Sequence, residues 1–214
     1  MKRSLEEAMR TVAALYVLKN GPYFGLEGVD PYDQERDARL YRGPYPVVAH
    51  PPCGPWGRYW FGGPSAKVRT KLGDDAGCFD RGLWAVRTFG GVLEHPAFSV
   101  AFKYHRIASP NPLGGWCSAG DGYGAWICQV HQGHYGHRAD KATWLYAKIP
   151  RPLPELIWGP CEGKMRLDEG FHSNEERAAA RAAGRKPLKR LSKTERAATP
   201  AQFKELLLSM ARAA

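Results

Sequence analysis

The chain has 214 residues, 43% of them hydrophobic, and carries a formal net charge of +10. This length supports one good-sized core, and no apolar run approaches the roughly 20 residues needed to span a bilayer. Five cysteines at irregular spacing (Cys53, Cys78, Cys117, Cys128, Cys161) fit reduced thiols in a cytoplasm better than a disulfide framework.

The opening MKRSLEEAMRTVAALYVL sets Glu6 and Glu7 after Lys2-Arg3 and develops no long apolar core, so it does not read as a secretory leader. Ser4 and Glu7 form a capping-box pattern that predicts a helix to about Ala14, with Leu15 to Leu18 turning strand-like. Glycines at 21, 25 and 28 punctuate an irregular stretch before a short strand ending at Asp30, and residues 33–41 read as a short polar helix. Val47-Val48-Ala49 is a buried strand that ends in His50-Pro51-Pro52-Cys53 and opens into a loop of Gly, Pro and Trp.

From Asp75 to Phe89 the apolar spacing predicts an amphipathic helix, which Gly90-Gly91 ends; Val92-Leu93 then starts a strand that stops at Glu94-His95-Pro96. Residues 105–124 are loop-rich. Residues 125–130 and 143–147 are strand-like and separated by the turn HQGHYGH, so they are expected to be neighbours or a hairpin. Strands alternating with helices predict an α/β sheet, mostly parallel, with ligands at the carboxyl ends of its strands. Both Cys53 and Glu94 lie at such ends.

After Ile149 the chain turns proline-rich and then basic: residues 177–196 carry eight Lys or Arg against one Glu. That density suits either a phosphate backbone or a solvated linker. Arg181, Arg185, Lys186, Lys189, Arg190 and Lys193 are its candidate DNA-backbone contacts. Thr199-Pro200-Ala201-Gln202 predicts a last helix whose stripe of Phe203, Leu206, Leu207 and Met210 docks on the domain. The expected organisation is an α/β domain over 1–160, a basic linker or helix over 161–198, and the docking helix over 199–214.

An isolated cysteine is most often a small buried hydrophobe. Here Pro51-Pro52 stiffens the approach and Gly54, Pro55 and Gly57 expose the thiol, while His50 and Arg58 are basic neighbours suited to a thiolate. Pro52-Cys53-Gly54-Pro55-Trp56-Gly57 resembles the Pro-Cys-Gln-Pro-Phe-Ser motif of cytosine-C5 DNA methyltransferases. Val92-Leu93-Glu94-His95-Pro96 resembles their Glu-Asn-Val motif, and the segment from Tyr135 to Tyr146 resembles their Tyr-Gly-Val-Pro-Gln-Arg-Arg-Glu-Arg segment. The order agrees with the family, with Cys53 to Glu94 spanning 41 residues and Glu94 to Ala139, in the Gln place, 45. The whole chain also resembles small phage and prophage proteins with PVVAHPPC and KATWLY signatures, which implies the cytoplasm of a bacterial host.

The resemblance implies a Rossmann-like, methyltransferase-like fold with a reduced N-terminal half. It implies Cys53 as the nucleophile on C6 of a flipped cytosine, Glu94 as the carboxyl group at the ring, and Lys141 where a family Arg stabilises the site. S-adenosylmethionine is the implied methyl donor, with Asp30 in the place of a ribose-binding acid, and DNA is the implied partner. His50, Trp56, Arg58, His95, His137 and Arg138 are the candidate substrate-binding residues. The chain departs from the family at Gly54, His95 and Thr143, and no Phe-x-Gly-x-Gly loop follows Leu15 to Leu18. Two other readings stand beside the enzyme: a methyltransferase-like fold that binds DNA or a partner without catalysis, with Trp56, Trp60 and Phe61 stacking on bases, and a zinc protein using Cys128, His131 and His134.

Overall fold

A computed structural model describes residues 10–57, 60–61, 71–167, 174–184 and 189–214. One seven-stranded mixed sheet organises them: β1 (Val12–Leu15), β2 (Val29–Tyr32), β3 (Val47–Ala49), β4 (Gly91–Pro96), β5 (Cys117–Ser118), β6 (Trp126–His131) and β7 (Ala142–Lys148), in the spatial order β2-β1-β3-β4-β7-β6-β5. Pairings from β2 through β4 are parallel, and those from β4 through β5 are antiparallel. The mostly parallel sheet expected from the alternation of elements is therefore parallel only in its N-terminal half. β6 and β7 form the expected hairpin, and its return strand pairs against β4.

The helices are α1 (Cys78–Phe89), α2 (Val100–Tyr104), α3 (Asn174–Ala182), α4 (Lys193–Ala197) and α5 (Ala201–Arg212). Among the described residues, no helix is long and apolar enough to cross a membrane. Period-two alternation divides the interior into two clusters, one on each face of the sheet. Ala13, Leu15, Val47, Ala49, Leu93 and Tyr146 pack with Phe79, Leu83 and Val86 of α1. Val12, Ala14, Val48, Val92, Leu145 and Ala147 pack with Phe203, Leu207, Leu208 and Met210 of α5, as the sequence stripe implies. α5 begins at Ala201 with Pro200 as N-cap and no side-chain cap, one residue later than Thr199 predicts.

The capping box at Ser4 and Glu7 lies outside the described residues. Over residues 12–14 the expected helix is replaced by β1, because every residue of Val12–Leu15 is buried and a central parallel strand is apolar on both faces. The short polar helix expected over 33–41 contracts to a 3-10 turn at Ala38–Leu40. α1 starts three residues after Asp75, whose carboxylate accepts hydrogen bonds from the backbone N–H of Gly77 (2.9 Å) and Phe79 (2.8 Å) and from Trp56 Nε1 (2.8 Å). The basic segment is tied to the domain. Lys164 N–H and Met165 N–H donate to the Arg138 carbonyl, and Leu191 N–H donates to that of Arg166.

Two consecutive glycines make the α1 to β4 connection. Gly90, at φ 81°, closes the helix by donating to the Val86 carbonyl. Gly91, at φ 111°, lies so close to β3 that a Cβ would stand 2.0 Å from the Val47 carbonyl oxygen. Gly91→Ala is therefore expected to force β3 and β4 apart and to cost about 3 kcal/mol or more, measured as the urea midpoint at constant m-value. A midpoint within error of the parent would show that the two strands separate without strain.

Candidate active site

The chain runs from β1 to β2 on one side and then returns to β3 on the other. The carboxyl ends of β1 and β3 thus flank a topological switch point, where open α/β sheets place ligands. His50, the first residue beyond β3, is fixed there by its own N–H donating to the Leu15 carbonyl at 3.1 Å. Its Nδ1 meets Glu94 Oε2 at 3.0 Å, with side chains only 13% and 11% exposed. Its Nε2 lies 2.8 Å from the Tyr23 hydroxyl, so both ring nitrogens have hydrogen-bond partners. Tyr23 is buried in the loop after β1, and burial together with the charge of Glu94 pushes its hydroxyl well above the ordinary tyrosine range.

Glu94 lies within β4, opposite Leu145 of β7, rather than beyond the strand end. Its other oxygen accepts from Gln132 Nε2 at 3.1 Å, and that same amide donates to Thr143 Oγ1 at 2.9 Å. Burial pushes the Glu94 carboxyl up. The hydrogen bond from His50 and the positive charge facing the group from His50 and Lys141 outweigh it and hold the group at about 2. Cys53 follows three residues after His50 and opens a 3-10 turn at Gly54–Trp56. The residue is exposed, yet crowding around its thiol and the charge of Glu94 push it above the ordinary cysteine value, with Lys141 opposing them. The charges of Glu94 and Lys141 thus act on the Cys53 thiol in opposite directions. Of the basic neighbours expected to favour the thiolate, His50 is engaged by Glu94, and Arg58 lies outside the described residues.

The remaining candidates separate. His95 points to the opposite face of β4, where it is buried against Phe79 (ring centroids 5.1 Å apart) and Phe102 (6.1 Å). Burial lowers it to about 4, so it is a neutral core imidazole and does not line the site. Trp56 is 4% exposed and held by Asp75, which leaves no face for a base; Trp60 and Phe61 meet edge to face at 5.6 Å. His137 and Arg138 lie against the basic segment: His137 Nδ1 contacts the Ala139 carbonyl at 2.9 Å, and Arg138 pairs with Glu195 at 2.6 Å. Arg181 is exposed on α3, while Arg185 and Lys186 lie outside the described residues.

The alternative zinc set is not assembled. Cys128 faces the α5 core, His131 pairs with Asp140 and contacts Gln129 (3.2 Å), and His134 is 3.0 Å from the Gly159 carbonyl. Among the described residues no three His, Cys, Asp or Glu group as a metal site. Nor do the described residues fit S-adenosylmethionine as the resemblance implies. Both Asp30 oxygens are taken by the Arg36 guanidinium, and Tyr23 occupies the loop after β1 where a glycine-rich cradle would lie.

Sequence reasoning missed Tyr23, Gln132 and Thr143. Gln132 had a signal, a polar His-Gln pair directly after an apolar strand. Set against protein-family models, curated proteins and solved structures, the chain matches none.

The folded Glu94 carboxyl titrates near 2 against 4.5 unperturbed, so its contribution to stability is complete above about pH 4.5 and is lost as pH falls through about 2. Glu94→Gln cannot titrate and is expected to flatten that acid limb by about 3 kcal/mol, read by urea unfolding at stepped pH; an unaltered limb would contradict the pairing. The same variant removes the charge that raises Cys53, so iodoacetamide labelling of Cys53, followed by peptide mapping, is expected to accelerate in Glu94→Gln and slow in Lys141→Gln. Equal rates in all three proteins would show that neither charge reaches the thiol.

Proposed function

We propose that this chain is a DNA-modifying protein with a Rossmann-like, methyltransferase-like sheet, acting on a pyrimidine, most simply cytosine, through a covalent bond from Cys53. The observation that carries this reading is the position of Cys53, just beyond β3 and three residues after the His50 that binds Glu94 on the neighbouring strand β4, with Lys141 directly before β7, which pairs with β4. The reversal of strand order around β1 supports the Rossmann-like assignment, and the sequence resemblance supplies the base.

The addition is balanced within these residues. The Cys53 sulfur bonds C6, the C5–C6 π pair shifts toward C5, and the thiol proton passes by way of the Glu94 carboxylate to ring N3. Gln132 and His50 hold both carboxylate oxygens in place for that transfer, and Lys141 offsets negative charge as the sulfur loses its proton. The resulting C5 is nucleophilic. S-adenosylmethionine is the donor the family implies, but because its pocket does not fit the described residues, the chemistry assigned to this chain stops at the C5 nucleophile. A second reading, DNA binding without chemistry, is supported by the Cys53 thiol lying above its ordinary value.

Isotope exchange tests the adduct without assuming a donor. A C5 nucleophile takes a deuteron from D2O, then loses the original C5 proton as the sulfur leaves. Deoxycytidine recovered from DNA incubated with the protein in D2O is expected to carry deuterium at C5. Cys53→Ala should abolish this, and Glu94→Gln should slow it by about 10²-fold or more. DNA binding with no deuterium in any base would establish the binding reading instead.

A further inference from the structure

Apart from the Cys53 site, the basic segment borders a concave feature of its own. A cavity of about 500 Å³ is lined by Arg138, Lys189, Arg190, Lys193 and Arg196, with Glu195 as the single carboxylate of its lining among the described residues. The walls come from three segments that the fold brings together: the loop before β7, the strand-like stretch at Lys189 to Leu191, and α4.

These walls are fixed. Backbone pairing of Met165 with Ala139 and of Arg166 with Arg190 holds the basic segment against the loop. Glu195 closes the capping box of α4 with Ser192 and also pairs with Arg138 across the cavity. Arg190 and Arg196 each donate to the Leu167 carbonyl. Five cationic side chains from segments held in this way face a single cavity, a charge arrangement suited to an anionic acceptor.

We propose that this cavity seats a backbone phosphodiester of the DNA strand whose base enters the Cys53 site. The inference rests on the proposed function for that direction. Arg138 stands three residues before Lys141, so their α-carbons are at most about 11 Å apart, a span of one or two nucleotides. The phosphate contact is thus assigned to specific residues, Lys189, Lys193, Arg196 and Arg138, and not to the summed charge of the basic stretch. Arg181 lies outside it. Glu195 opposes the ligand by its charge.

These assignments predict effects of different sign, measured by fluorescence anisotropy of a labelled cytosine-containing duplex across a salt series. Lys189→Gln with Lys193→Gln should weaken binding about tenfold and lower the salt slope by about 1 to 2. Glu195→Gln, which keeps a residue suited to the capping box, should tighten it severalfold. Arg181→Gln should leave both affinity and slope unchanged.

Equal losses in Arg181→Gln and the double-lysine variant would return the effect to diffuse charge and overturn the proposal. So would unchanged DNA binding in the double-lysine variant when inorganic pyrophosphate binding is lost, which would mark a free-phosphate site. Deuterium exchange in the same variants separates the two readings. A cavity-dependent salt slope without exchange keeps this proposal and removes the catalytic one; exchange with an unchanged slope does the reverse.

Discussion

The buried hydrogen bond between His50 and Glu94 is the interaction on which the site depends. Neither partner can be placed without elements far apart in sequence. His50 requires β3 to end beside β1, Glu94 requires β4 to lie next to β3, and Tyr23 and Gln132 must arrive from a loop and a hairpin turn to satisfy the remaining atoms. A carboxylate removed from water is costly unless paired and fully hydrogen-bonded, and here both oxygens have partners. The network joins the loop after β1, β3, β4 and the β6–β7 turn at one point.

How much of this was legible in the sequence varies with the kind of signal. Strand β3 and the α5 stripe were readable because each is a short pattern whose burial follows from its own period. The N-terminal strand was not, because Val-Ala-Ala-Leu lacks a distinctive period and only its position in the middle of a sheet decides it. The antiparallel half was equally hidden: whether β7 pairs with β6 alone or also with β4 is a tertiary choice that no local residue records.

Within the site, Cys53, Glu94 and Lys141 were readable as spaced motifs. His50 was seen as a base for the thiol, but the structure gives it to Glu94. Trp56 and His95 were placed in the site because the motifs adjoin them, whereas side-chain direction sends both into the core. Sequence adjacency locates a strand end well, but it says nothing about which of two neighbouring side chains faces the ligand.

Glu94 and His95 show what that alternation accomplishes. A one-residue slip of β4 would drive an ionised carboxylate among Phe79 and Phe102 and turn a neutral imidazole toward the loop beyond β3. Apolar strand residues tolerate exchange between two oily faces, so Val92 and Leu93 resist such a slip only weakly. The two adjacent polar residues, each suited to one environment and penalised in the other, act as an alignment key that lets a short strand settle in a single frame.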